Sequence, residues 1–325
     1  MRSRVTSAAG FSLIELMVAV AIMGIVTAQL FVVFASQKRV FTSNDRALDV
    51  QEAARLTLDL ISFDTRMAGF MVPKYTAVSS VDGGANNPDR LCVSAPASAG
   101  AGGTVPTMIT RFEGAPVTGV AGDRVVVNTV DLDFDKDGVR DFVPGSGVIV
   151  ASATKTYCAR ILSVNVGGVT AEIEFANPEN ATLYLGGATA DMRAVPANVY
   201  ELDPAKLELR RNGLLLAAQV EDFEVEFWLD NAGTPNGVED GNTEFPVNDL
   251  DNPDPPGGGI PADPAQVRRV RVSITARTVQ EDAASSATGN LTYGRPALAN
   301  RAADPTVDQF RRRSFSASIL PRNIS

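Results

Sequence analysis

The sequence contains no histidine, two cysteines and one tryptophan in 325 residues. Without histidine the commonest general base and the commonest zinc ligand are missing. Two cysteines cannot build a four-cysteine zinc site or an iron–sulfur centre. There is no Gly-x-Ser-x-Gly and no Gly-Lys-Ser/Thr phosphate loop. Gly100-Ala101-Gly102-Gly103 has no Lys-Ser/Thr after it and opens no helical pattern, so it reads as a loop. Positive charge is also scarce: 29 Lys and Arg stand against 38 Asp and Glu, for a net charge of −9. Nucleic-acid binding needs clustered cations, so no direct nucleic-acid partner is expected. Together these absences point away from an enzyme.

Helix breakers are missing from the N-terminal part. No proline precedes Pro73, and no glycine lies between Gly24 and Gly69. Leu16 to Ala35 is a run without a charge, in which only Thr27 and Gln29 are clearly polar. At 1.5 Å per residue this run is about 30 Å long, the thickness of a bilayer core. A core helix of that length usually keeps a polar face, and this one has none. Arg2 and Arg4 precede the span and favour a cytoplasmic N-terminus. A secretory signal would be shorter and would end in a small-residue cleavage site. Here the small residues come first, ending in Gly10. Glu15 is the anomaly, because a carboxylate in a membrane helix costs about 2.5–3.5 kcal/mol on insertion scales and marks function. Cleavage after Gly10 would free an α-amine on Phe11, and the amine of one subunit could neutralise the Glu15 of a neighbour.

The stretch Gly10-Phe11-Ser12-Leu13-Ile14-Glu15-Leu16-Met17-Val18 resembles the class III signal of type IV prepilins and pseudopilins. The resemblance implies cleavage after Gly10 by prepilin peptidase, N-methylation of Phe11, and a role for Glu15 in fibre assembly. Asp64-Thr65-Arg66-Met67-Ala68-Gly69-Phe70 is similar to the end of the first helix in PilW-type minor pilins. Read physically, Ala68-Gly69 stops the helix and Phe70 packs back. Asp64 and Arg66 are two apart and do not face each other, so each is expected to find a partner in the globular part. An ordinary amphipathic helix end reads equally well. Val267-Arg268-Arg269-Val270-Arg271-Val272-Ser273-Ile274 and Arg322-Asn323 resemble later segments of PilW-type minor pilins and of the related J-type minor pseudopilins.

Past Ala35 the apolar positions 47, 50, 54, 58 and 61 keep helical spacing, which predicts one helix from about Phe11 to about Met67. Beyond Val72 short alternating runs lie between Gly, Pro, Asn and Asp clusters. Strands are expected at 124–130, 147–151, 160–166, 170–175, 223–229, 270–277 and 315–320, with a hairpin turn at Asn212-Gly213. Phe223, Val225, Phe227 and Leu229 should face a core. The expected fold class is α+β: a type IV pilin-like long N-terminal α-helix packed on a largely antiparallel β-sheet domain. Its parts are a leader at 1–10, a membrane or filament-core half of the helix at 11–35, an amphipathic half at 36–69, and a periplasmic β-rich domain at 70–325.

In a periplasmic domain Cys92 and Cys158 are expected to form a disulfide worth roughly 4 kcal/mol in the chain-entropy model. Two separate buried thiols are the other reading. The acidic run 131–141 holds a ligand pattern. With Asp133 as position 1, carboxylates fall at Asp133, Asp135, Asp137 and Asp141, with Gly138 at position 6 and the Val139 carbonyl at position 7. This matches the start of an EF-hand-type calcium loop. Position 12 is Pro144 where a glutamate is expected, so a solvated Asp-Gly hairpin is the competing reading. A second acidic stretch, 230–254, has no Lys or Arg and leads into a Pro/Gly tract, as a linker would.

The resemblance implies a minor pilin of a type IV pilus that helps initiate assembly at the tip, with twitching motility and adhesion following indirectly. Implied partners are other minor pilins, the major pilin, prepilin peptidase and the inner-membrane assembly platform. The chain would sit in the inner membrane with its globular domain in the periplasm, and later in a surface pilus. The alternatives are a minor pseudopilin of a type II secretion system and a pilin-anchored calcium-dependent adhesion module.

Overall fold

The breaker-free N-terminal sequence forms a single helix, α1, from Leu13 to Met67, 55 residues and on the order of 80 Å long. The computed structural model describes residues 12–70, 72–81, 83, 87–95, 114–133, 138–152, 156–176, 185, 190–229, 264–281, 292–299 and 301–324. The first part of α1 is exposed throughout. Its second part turns Ala54, Leu58 and Ile61 inward, three of the positions picked out by helical spacing. The helix stops at Ala68, and Gly69 follows at φ +79°. A Cβ on Gly69 would lie 3.1 Å from the Asn323 carbonyl oxygen and 3.2 Å from the Ala77 Cβ, so backbone conformation and space both require glycine there. Phe70 does not pack back as expected: it is 43% exposed. The C-terminus takes that role instead. The Arg322 N–H donates to the Arg66 carbonyl, and the Asn323 amide donates to the carbonyls of Met67 and Ala68. The orphan carbonyls of Arg66 and Met67 are thus met by the far end of the chain, while that of Thr65 takes the Ala68 N–H.

The described strands are β1 (Val78–Val81), β2 (Arg90–Ser94), β3 (Ala115–Ala121), β4 (Arg124–Asn128), β5 (Gly147–Ala151), β6 (Thr156–Gly167), β7 (Thr170–Phe175), β8 (Arg193–Asp203), β9 (Glu208–Arg211), β10 (Leu214–Ala218), β11 (Val220–Leu229), β12 (Val267–Arg277), β13 (Tyr293–Gly294), β14 (Val307–Asp308) and β15 (Arg312–Ile319). All their pairings are antiparallel. Every strand expected from alternation is present, and the Asn212-Gly213 turn has both residues at positive φ, as a type I′ hairpin demands. The large sheet runs β1-β2-β8-β3-β4-β7-β6-β5, and β5 pairs back onto β8. The strands β8, β3, β4, β7, β6 and β5 therefore form a closed ring, which hides their edges. Val125, Val127, Ile149, Tyr157, Ile161 and Ile173 fill it. Strands β1, β2 and β8 did not stand out from alternation, because most of their residues are buried on both faces.

A second sheet, β11-β12-β15, packs its apolar side against α1. Phe223, Val225, Phe227 and Leu229 are buried as expected, together with Leu58, Ile61, Val272 and Ile274. The opposite side of β11 departs from the expected pattern. Asp222, Glu224 and Glu226 are buried as well. Asp222 pairs with Arg295 at 2.5 Å and with Arg301, and Glu226 pairs with Arg271. At the edge of the sheet Glu221 takes Arg277 and Arg312. The arginines come from β12 and from the segments around β13–β15, so a strand that reads as half-exposed is covered by ion pairs.

Two further ties hold the parts together. Cys92 on β2 and Cys158 on β6 form the expected disulfide, with Cα atoms 5.7 Å apart. On α1, the Asp64 carboxylate accepts from the Asn198 amide at 2.9 Å, the Tyr200 hydroxyl at 2.6 Å, and the Arg211 guanidinium at 3.0 and 2.7 Å. Burial, and then the charge of Asp64, push the Tyr200 phenol well above its usual range, so it stays a donor. Asp64 thus meets the globular part as expected. Arg66 is exposed and joins it through its backbone carbonyl.

Replacing Asp64 by alanine leaves a buried amide, a phenol and a guanidinium facing an uncompensated gap. We expect Asp64→Ala to lose about 3–5 kcal/mol of stability in denaturant unfolding of the full-length protein in detergent. A loss below about 1 kcal/mol would show that the seam does not depend on this carboxylate. Glu224 yields a pH prediction. Both of its oxygens are buried without a hydrogen-bond partner among the described residues. Burial first, and then the charges of Asp89 and Asp222, push its carboxyl up to about 10, partly offset by Arg301. The folded chain keeps a proton that the unfolded chain releases, so the contribution of Glu224 to stability falls as pH rises from about 4.5 toward 10. The variant Glu224→Gln should therefore gain on the parent between pH 5 and pH 8 in urea titrations. A gap that does not change with pH would refute the assignment.

Candidate functional site

The described chain opens at Ser12; Gly10 and Phe11, the expected junction, lie outside the described residues. Ser12 is the N-cap of α1. Its hydroxyl accepts from the Glu15 N–H at 3.3 Å, and its own N–H donates to the Glu15 carboxylate at 2.9 Å. This is a capping box. The carboxylate sits on the positive end of the helix dipole, which reduces the cost of a charge at the start of an apolar span. The sequence signal was present as Ser12-x-x-Glu15, but the anomaly of a membrane carboxylate drew the sequence reading to Glu15 alone.

Among the described residues nothing covers the apolar first part of the helix that follows. Its most apolar 18-residue window has a mean hydropathy of 2.5, and none of it is buried. Leu13 is 77% exposed and Phe31 70%, values that a core helix of a globular protein does not show. Within one helix, then, a self-capped glutamate at the start leads into a bare apolar surface, and the far end is locked into a β domain. Such an arrangement offers surface for helix-to-helix or helix-to-lipid contact.

The acidic loop is only partly placed. Asp133, Val139 and Asp141 are described, whereas Asp135 and Asp137 lie outside the described residues. Asp133 accepts the Gly138 N–H at 3.0 Å, with Gly138 at φ +88°, so the loop turns sharply at the glycine. Asp141 is buried, and its N–H donates to the Leu132 carbonyl at 2.8 Å. Among the described residues no three metal-ligating side chains come together. The 230–254 stretch lies wholly outside the described residues.

Residues 6–28 match the family model described as the prokaryotic N-terminal methylation motif. No curated protein matches the chain. Among solved structures, a type IV-like pilin from Thermus thermophilus is similar at 13% identity and a TM-score of 0.24, over 55% of this chain and 84% of that one. At that level of similarity the weight rests on the motif. It spans the start of α1, from before the Gly10–Phe11 junction into the uncharged span, and so takes in the capped glutamate and much of the bare helix surface. The chain thus carries the prokaryotic N-terminal methylation motif at the head of one long helix that leads into an antiparallel β domain.

Proposed function

We propose that this chain is a minor pilin of a type IV pilus, made as an inner-membrane precursor, cleaved after Gly10 and methylated at Phe11. The observation that carries the reading is the methylation motif over residues 6–28 laid on a bare apolar helix with Glu15 in its first turn. Prepilin peptidase acts on the junction. The uncharged span holds the chain in the membrane with the β domain on the periplasmic side. The chain then leaves the membrane by packing that helix against the helices of other minor pilins and the major pilin, on the assembly platform. The PilW-like features, Asp64 through Phe70 and Arg322-Asn323, support a place in the complex that initiates the fibre, with twitching motility and adhesion downstream. Its role is structural and not catalytic. A minor pseudopilin of a type II secretion system would use the same helix chemistry.

In assembly the Glu15 carboxylate meets the Phe11 amine of a neighbour. Glu15→Ala should insert in the membrane and be processed normally, yet lower surface piliation at least ten-fold in shear-fraction blots. Gly10→Ala should leave the precursor at full length by mass spectrometry. Normal piliation in the first variant, or an unmethylated full-length wild type, would overturn the reading.

A calcium role for the 133–141 loop is a second proposal, resting on the Asp133–Gly138 contact and the sharp turn at position 6. Asp133, Asp135, Asp137, the Val139 carbonyl and Asp141 would supply oxygen ligands. Calorimetric titration of the full-length protein with calcium should give a saturable signal that Asp135→Ala abolishes. A flat titration would refute it.

A further inference from the structure

One charged groove is not used by the proposed function. Between α1 and the segment following β12 lies a cavity of about 420 Å³, lined from the helix by Lys38, Arg39 and Arg46 and from the other side by Gln280 and Glu281. A recess beside it shares Arg46 and adds Arg311. Four cations and one carboxylate thus line the combined groove.

Its height on the helix identifies the occupant. The uncharged span ends at Ala35, and Lys38 and Arg39 follow within one helical turn. At 1.5 Å per residue they stand about 5 Å beyond the hydrocarbon edge, inside a headgroup layer about 5–8 Å deep. Arg46 starts two turns further out, about 16 Å beyond the hydrocarbon edge and above the headgroup layer, and its side chain leans back over that layer as a source of positive potential. Cations directly after a span on the translocated side run against the usual charge bias, so a specific anion is a better explanation of them than orientation.

We propose that this groove binds the phosphodiester headgroup of an anionic phospholipid in the periplasmic leaflet. The inference rests on the membrane orientation given under Proposed function. Lys38 and Arg39 stand at the height of the phosphate and would meet its oxygens, and Arg46 and Arg311 add positive charge above them. The groove would hold the β domain at a fixed height over the membrane until the helix leaves for the fibre, and the lipid contact would then be given up.

The test uses full-length protein in nanodiscs of phosphatidylcholine with or without phosphatidylglycerol, then released into detergent for native mass spectrometry. The expected result is one tightly retained phosphatidylglycerol per chain, with retention reduced about five-fold for each cation removed in Arg39→Gln and Arg46→Gln. Lys206→Gln, a basic substitution on the turn between β8 and β9, should leave retention unchanged. Equal retention of both lipids, or loss in Lys206→Gln as large as in Arg46→Gln, would overturn the proposal. Displacement of the lipid by millimolar inorganic phosphate would reassign the groove to free phosphate and overturn the lipid assignment. Failure of the protein to enter nanodiscs of either composition would overturn the membrane reading, and the groove assignment with it.

Discussion

Asp64 is where the two halves of the molecule are joined. A helix of 55 residues whose first part is exposed is held, among the described residues, from its other end. That end carries one buried carboxylate, and its partners Asn198, Tyr200 and Arg211 come from β8 and β9. Around it, the Gly69 N–H donates to the Ser94 hydroxyl on β2, and Asn323 caps the last carbonyls. Apolar contacts at Leu58 and Ile61 supply burial, but burial is non-directional. The hydrogen bonds to Asp64 fix the rotation and height of the helix, because a slip of one residue would turn the carboxylate away from all three donors. A buried ion pair is a weak source of net stability and a better source of a unique arrangement. An assembling subunit needs that arrangement, since the angle between helix and domain sets where the domain sits in a fibre.

Strand β8 extends the argument into the domain. It supplies Asn198 and Tyr200 to the helix, and it is also the strand on which the ring closes, pairing with β2, β3, β5 and β9. The Cys92–Cys158 bond links β2, next to the helix, to β6 in the ring. A pull along α1 therefore passes from Asp64 and Ser94 to β8 and β2, and from there through pairing and a covalent bond to the ring. The two hydrophobic cores are filled separately, yet they share these strands, so neither moves without the other.

How much of this was legible in the sequence depended on where each residue's partner lies. The helix was legible over nearly its whole length, because the absence of proline and the 3–4 spacing are local properties. So were the alternating strands, the Asn212-Gly213 hairpin and the disulfide pair. Strands β2 and β8 were not, because a strand buried on both sides loses its alternation and reads as an undirected apolar run. On β11, Glu224 and Glu226 alternate with the core positions and yet are buried, as is Asp222; the arginines that pair with Asp222 and Glu226 lie more than forty positions away. Phe70 was expected to pack at the helix end because the local motif offers no other candidate. Residues 322–323, at the opposite end of the chain, do the capping instead.

Glu15 links the sequence reading, the structure and the proposed function most closely. As an isolated subunit it has its own backbone partner in Ser12, a capping interaction worth on the order of 1 kcal/mol. An incoming α-amine would compete with that contact, so assembly gains only the difference between an ion pair in an apolar setting and a cap already made. That difference is favourable when water is excluded, because a charge pair strengthens steeply as the dielectric falls, while the cap is neutral on the donor side. In the lipid alone the cap would offset only about 1 kcal/mol of the roughly 2.5–3.5 kcal/mol that the carboxylate costs there. Between packed helices, on the proposed function, the amine would be the stronger partner, and the same carboxylate would serve both storage in the membrane and register in the fibre.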